Sequence, residues 1–386
     1  MEALNSMEHS SPDLVLVFAS VRFDQEALLK GIVSLTKDAP LIGCSTAGEI
    51  LPTGPSHRSV AVLTIKSTSL ELGTGLGRGL SAHPRQAGYA AASQAIQAKL
   101  QNPHLFLLFP DGLSGNIAEV IRGTQDVLGL SFPIVGGSAG DDLRFMRTYQ
   151  YFQGQVHSDA VAGVLLAGPI LVGVGARHGW QPLGKPKQVT RALGNTLMEL
   201  DGKPATHLYE NYFNTKTTLL RNEELAHISI MYPLGFPIPG EEEYLLRNAI
   251  RTNADGSLTL TGEIPEGSEV RLMMGSKAKA LEASRRAAEQ ALRAIAPHSP
   301  HLALAFSCIS RAQLFGRDLG SELTIIQKVL GKDVPLVGFY DYGEQAPLSA
   351  TNFRGKSYFH NESAVVVTLS SDITEQRKNS IAEKGD

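Results

Sequence analysis

The sequence predicts an α/β fold of mixed sheets with helices, in which three copies of a strand–helix–strand unit are arranged in two related domains. Three observations carry this. Apolar runs of strand length alternate with stretches of helical periodicity, a proline–apolar–glycine turn recurs three times at the same place in that order, and two segments read as antiparallel hairpins.

In the first copy, residues 14–20 (LVLVFAS) read as a buried strand and 24–37 as a helix. The turn PLIGCSTAGE follows at 40–49, and 59–65 return as a strand. The second copy repeats the order with a strand at 105–110, a helix at 116–128, the turn PIVGGSAGDD at 133–142 and a strand at 159–167. The third has a strand at 302–308, a helix at 322–331, the turn PLVGFYDYGE at 335–344 and a strand at 362–369. Copies two and three are introduced alike, by a strand and an Ala-rich helix at 69–77 and 83–100, and at 270–274 and 276–295. Between them, 190–199 and 205–213 read as amphipathic helices and 236–240 (FPIPG) as a loop. The hairpin-like stretches are 148–164 and 245–260, the latter around Asp255-Gly256. The expected division is an N-terminal domain at 14–212, a C-terminal domain at 213–370, and a polar tail at 371–386 that frays or forms a short helix.

Composition narrows the function without naming it. A net charge of -3 gives no basic field for nucleic acid or an acidic membrane surface. Cys44 and Cys308 are too few for a disulfide framework, which favours a reducing compartment. The polar, acidic start lacks the features of a signal peptide. The uncharged run 160–176 is short for a membrane span and is split by Gly168-Pro169, so two buried strands are expected there. These readings place the chain in the cytoplasm with no membrane insertion.

Gly136-Gly137-Ser138-Ala139-Gly140 fits the nucleophile elbow of hydrolases, but that elbow must run directly into a helix, and strand-like residues 148–152 follow instead. The three glycine turns have two readings. They are corners needing backbone freedom, or they expose successive N–H groups that cradle a carboxylate or phosphate. On the second reading Gly43, Cys44, Ser45, Thr46, Gly137, Ser138 and Gly140 line the cradle. Glu49, Asp141, Asp142 or Glu344 would hold an ammonium group, and Tyr340 or Tyr342 would cover the ligand. Arg311 is a candidate carboxylate fork, with a structural salt bridge as the alternative. Cys308, close to Arg311 at a strand end, is either a low-pKa thiol or inert packing. No protein metal site is expected. His178, beside Trp180, is a candidate axial haem ligand or a structural histidine. The glycine-rich run 73–79 matches no nucleotide-binding spacing.

The motifs GCSTAGE (43–49), GGSAGDD (136–142), FSCISR (306–311) and GFYDYGE (338–344) together resemble the FIST family, over roughly residues 14–369. The resemblance implies a FIST N-terminal domain followed by a FIST C-terminal domain, acting as a sensory input module of prokaryotic signal transduction. It further implies a small ligand such as an amino acid, and an output through histidine kinases, cyclic-dinucleotide enzymes or chemotaxis receptors. Some stand-alone members are haem proteins that sense nitric oxide, which supplies the second function. About a dozen residues precede the first strand, leaving no space for the F-box of some eukaryotic relatives. The expectation is a non-enzymatic sensor without a cofactor, binding an amino-acid-like molecule and signalling through a separate partner such as a histidine kinase. The alternative is a haem-binding nitric oxide sensor regulating such a kinase or a cyclic-dinucleotide enzyme.

Overall fold

A computed structural model describes residues 11–214, 222–348 and 355–371. Most of the N-terminal segment read for a signal peptide and nearly all of the expected tail lie outside them. The first unit comprises β1 (Leu14–Ala19), α1 (Gln25–Thr36), β2 (Leu41–Ser45), the hairpin β3 (Glu49–Leu51) and β4 (Gly54–Ser56), and β5 (Val60–Ile65). Asp24 starts α1 by accepting the Ala27 N–H at 3.0 Å. The second unit is β6 (Glu71–Arg78), α2 (Pro84–Ile96), β7 (Pro103–Pro110), α3 (Ile117–Leu128), β8 (Ile134–Gly137), the hairpin β9 (Gln150–Phe152) and β10 (Gln155–His157), and β11 (Ala160–Ala167).

The third unit opens with β12 (Ile170–Arg177). An insertion then runs through β13 (Gln181–Leu193), β14 (Thr196–Leu200), β15 (Lys203–Pro204), α4 (Thr206–Phe213), α5 (Asn222–Met231), β16 (Leu234–Pro237), β17 (Tyr244–Arg247), β18 (Ala249–Thr252), β19 (Leu258–Leu260) and β20 (Glu269–Met274). The unit resumes with α6 (Lys277–Ala294), β21 (Leu302–Cys308), α7 (Ile309–Phe315), α8 (Gly320–Leu330), β22 (Leu336–Asp341), the hairpin β23 (Glu344–Pro347) and β24 (Ser357–Phe359), and β25 (Ala364–Ser371).

Each unit builds a mixed sheet on one plan: two parallel strands (β1 and β2, β7 and β8, β21 and β22) with an antiparallel strand beside the first. The hairpin leaves its own sheet and extends a neighbour's. Unit one's β3–β4 pairs onto β22, unit two's β9–β10 onto β2, and unit three's β23–β24 onto β8. The exchange closes a ring of three units, so each sheet is completed by the next segment in the cycle. The expected division at 213 falls within the insertion, and both β3–β4 and β12 pair across it with strands near the C-terminus.

The equivalent phenylalanines of the three first strands, Phe18, Phe109 and Phe306, meet with ring centroids 5.5–6.5 Å apart, and Phe339 packs against all three. Such ring pairs add about 0.5–1.5 kcal/mol each beyond the area they bury. Glycine makes up 38 of the 386 residues, and close packing accounts for part of that number at β6 and β12. A Cβ on Gly73, Gly75 or Gly77 would come within about 2 Å of a carbonyl of α2, and Gly173 and Gly175 stand in the same relation to α6. These strands therefore lie against the backbones of their Ala-rich helices.

The structure corrects several expectations. Residues 190–199 form the hairpin β13–β14 and not a helix, because Gly194, at φ +56°, turns the chain and Val189, Leu197 and Leu200 line a buried face. The expected loop at 236–240 begins as β16, paired with β17. Residues 270–274 belong to β20 in the inserted eight-stranded sheet, and it is β12 that introduces the third copy as β6 introduces the second. The expected hairpin at 148–164 closes at β10, and β11 departs to pair with β6 and β7. The hairpin around Asp255-Gly256 is present as β18–β19. The run 160–176 forms two strands as expected, and among the described residues no helix is long and apolar enough to cross a membrane.

Candidate functional site

The three glycine turns lie where neighbouring units meet. Ser45, the last residue of β2, donates its N–H to Tyr149 O at 2.8 Å and accepts from Gly140 N–H at 3.0 Å. Ser138 likewise donates to Gly343 O at 2.8 Å and accepts from Tyr342 N–H at 3.1 Å, and Tyr340 donates to Gly48 O at 2.8 Å and accepts from Ala47 N–H at 2.9 Å. Two residues earlier, glycine is required by close approach. A Cβ on Gly43 would sit 1.8 Å from Val17 O, and Gly136 and Gly338 face the equivalent carbonyls. The turn N–H groups of Ser45, Ser138, Gly140, Tyr340 and Tyr342 thus bond across units, where the sequence reading had glycine-turn N–H groups cradling a ligand anion.

The side chains at the three corners differ. In the first, Glu49 is fully buried; its Oε1 accepts from Thr46 Oγ1 at 2.5 Å, and its Oε2 from the Ser59 N–H at 3.1 Å and Oγ at 2.5 Å. In the second, Asp111 accepts from Leu113 N–H, Thr148 Oγ1 and Asp159 N–H at 2.7–3.1 Å, and Gln150 takes the place of Glu49 in register. In the third, one ligating atom from each of Cys308, Asp341 and Glu344 lies within 4.8 Å of the others, all buried. Asp341 Oδ1 accepts from Gly343 N–H at 2.9 Å and Glu344 Oε2 from Ser363 N–H at 3.0 Å. Asp341 and Glu344 hydrogen-bond to each other through a carboxyl proton, and no other donor among the described residues reaches Asp341 Oδ2 or Glu344 Oε1. Burial raises the Asp341 carboxyl to about 7 and pushes Glu344 up, with the neighbouring Asp341 charge adding to it. Burial also raises the Cys308 thiol and takes Glu362 to about 8.

The remaining sequence candidates are placed as follows. Gly137 stands against Asp341, where a Cβ would come within 2.6 Å of Oδ2. Cys44 is buried in the central core with its thiol pKa raised by burial. Ser138 is fully buried and accepts from Gln345 Nε2 at 2.9 Å, with no helix directly after it, so the elbow geometry is absent. Asp141 is occupied: its carboxylate accepts from Phe145, Met146 and Arg147 N–H at 2.7–3.0 Å and from Tyr342 Oη at 2.6 Å. It pins a loop in which Asp142, Leu143 and Phe145 hold left-handed backbone, and Tyr342 stacks on Phe145. Asp142 accepts from Ser20 Oγ at 2.6 Å.

Arg311 is not available as a carboxylate fork. It is fully buried, bonds Glu322 through Nε and Nη2 at 2.8 and 2.6 Å, and spends the rest of its donors on the carbonyls of His178, Glu362 and Ala280 and on Ser284. His178 does not fit an axial haem ligand as placed. Its buried ring accepts the Trp180 N–H on Nδ1 at 2.8 Å, and Nε2 faces Glu243 at 3.4 Å. Burial lowers its pKa and keeps it neutral.

The sequence reading missed Asp341, although it lies inside a quoted motif, and it missed a groove built from two separate sheet edges. The groove, of about 470 Å³, is lined by Leu76 and Arg78 of β6, Gln94 of α2, and Phe152, Gln153, Gln155 and His157 of the β9–β10 hairpin. β6 is the edge of unit two's sheet and β10 the edge of unit one's. Gln94 and Gln153 tie to Leu76 N–H and Thr74 Oγ1, while His157 Nε2 is buried without a partner among the described residues. Burial first, then the Arg78 charge, lowers the His157 pKa. No signal in the sequence marks these residues as neighbours.

Family models match this chain as a FIST N domain over residues 13–203 and a FIST C domain over 205–347. An uncharacterized protein of Methanocaldococcus jannaschii is 33% identical over 122 residues, 29% of this chain and 24% of its own length. The chain thus spans about a quarter of that relative. An uncharacterized protein of Mycobacterium tuberculosis is 25% identical over 374 residues, 91% of this chain and 90% of its own. A crystal structure of a chorismatase aligns over 94% of this chain and 93% of its own at 10% identity, with a TM-score of 0.35, too low to carry an argument. FIST domains are generally sensory domains of signal transduction, and with both of them matched in order the chain belongs to the FIST family.

Proposed function

We propose that the chain is a non-enzymatic sensor that binds a small, carboxylate-bearing, amino-acid-like ligand and signals through a separate protein such as a histidine kinase. The observation that carries this reading is the Arg78–His157 groove. Its volume suits a small molecule, and its guanidinium can fork a carboxylate. The amide side chains and the His157 imidazole supply further polar contacts, while Leu76 and Phe152 supply apolar ones. A ligand there would touch the edges of two sheets at once, so its binding energy would fall on the fit between units one and two. That is what a sensor needs to convert occupancy into a change of shape.

This places the ligand away from Arg311 and Asp141, whose donors and acceptors are already engaged. The test is a thermal-shift and calorimetric screen of the full chain against amino acids and simple carboxylates, repeated on Arg78→Ala. A ligand that stabilises the wild type should lose about tenfold or more in affinity, about 1.4 kcal/mol. Equal affinity in the variant, or no stabilisation by any of them, overturns the reading.

A further inference from the structure

The third corner is a departure from its two counterparts that packing does not explain. Unit one surrounds its hairpin acid Glu49 with hydroxyls and an N–H, and unit two, which has Gln150 at that position, surrounds Asp111, the counterpart of Cys308, with a hydroxyl and N–H groups. Unit three brings a thiol and two carboxyl groups together, and one oxygen of each carboxyl has no donor among the described residues except a proton shared between the two carboxyls. Burying unpartnered polar atoms is costly, and here the atoms converge from the ends of β21 and β22 and the start of β23. Gly137 keeps the space beside Asp341 clear of a side chain.

We propose that Cys308, Asp341 and Glu344 form a binding site for a zinc-type divalent metal ion. Tetrahedral zinc holds sulfur at about 2.3 Å and oxygen at about 2.0–2.2 Å, which puts its ligand atoms roughly 3.3–3.8 Å apart. The three ligand atoms lie within 4.8 Å of one another, so binding would draw them closer together. One thiolate among carboxylates selects a borderline ion such as zinc over magnesium or calcium, which prefer oxygen alone. Binding would displace the thiol proton, and any carboxyl proton, to solvent while the ion takes up the negative charge. Three protein ligands leave a fourth tetrahedral position.

The full chain is loaded with Zn²⁺, dialysed into metal-free buffer and analysed for bound metal, and in parallel loaded with Co²⁺ and examined by absorption spectroscopy. The site predicts roughly one zinc per chain in the wild type and in Glu49→Gln, with a fall of about tenfold in Cys308→Ser and in an Asp341→Asn/Glu344→Gln double variant. It also predicts a thiolate-to-cobalt charge-transfer band in the wild type that disappears in Cys308→Ser. Absence of retained zinc and of that band in the wild type overturns the proposal, as does undiminished retention in both variants. The wild-type band decides the matter if either variant fails to fold. The site does not rest on the Arg78 groove, so either can fail alone.

Discussion

The first and third corners share a backbone plan and differ in how they treat buried acid. Glu49 is met by Thr46 and Ser59, so the carboxylate is solvated by the protein. Asp341 and Glu344 face each other and a thiol, and only a proton held between the two carboxyls meets the oxygens that other donors leave free. The repeated unit therefore fixes where a carboxyl group will lie at the junction, and local hydroxyls decide whether that group is structural or left poised. A third treatment appears at Arg311 and Glu322, a buried pair in which every guanidinium nitrogen is bonded.

The largest expected effect sharpens this contrast. Arg311→Ala leaves Glu322 buried without its cation and should destabilise the protein by about 3–5 kcal/mol in denaturant unfolding. A loss under about 1 kcal/mol would mean that the pair contributes no more than a surface ion pair.

Next comes the pH dependence of the groups beside the third corner. Glu362 has its folded pKa raised to about 8 from 4.5, so its contribution is present below about pH 4.5 and is lost as pH rises through about 8. Glu362→Gln should gain a few kcal/mol over the wild type on the alkaline side, and thermal unfolding across pH 5–9 reads the difference as a flattened limb. His360 runs the other way. Burial lowers its pKa to about 3 from 6.5, so the stability it permits is present above about pH 6.5 and fades as pH falls toward 3. A phenylalanine there should weaken the acid limb's slope.

A smaller effect tests the pinned loop. Tyr342→Phe removes one bond to Asp141 and one acceptor for the Leu143 N–H, costing about 1 kcal/mol or somewhat more. Limited proteolysis should cut faster between residues 142 and 147, and unchanged cleavage would show that the three N–H bonds to Asp141 suffice alone.

The repeat was legible because proline, an apolar pair and glycine stand in one order three times, and close approach of the carbonyls of Val17, Leu108 and Ala305 explains that glycine physically. The exchange of hairpins was not legible. Residues 49–56, 150–157, 344–347 and 357–359 have strand character, but nothing local states which sheet they join. That exchange also decides which donors reach which acids, so Glu49 and Glu344 look alike in sequence and differ in surroundings. Arg311 stood out by its chemistry, yet its partner Glu322 comes from the next helix. Arg78 and His157 are 79 positions apart and meet because two sheet edges run side by side.

The contrast between the corners is tested most directly by unfolding Glu49→Gln and Glu344→Gln side by side in metal-free buffer at pH 8. Glu49→Gln should lose about 1–3 kcal/mol, since an amide presents hydrogens to donors that a carboxylate accepted. Glu344→Gln should hold or gain stability, because the amide can donate to Asp341 without first taking up a proton. Equal losses in the two variants would contradict the claim that the first corner is satisfied and the third is not.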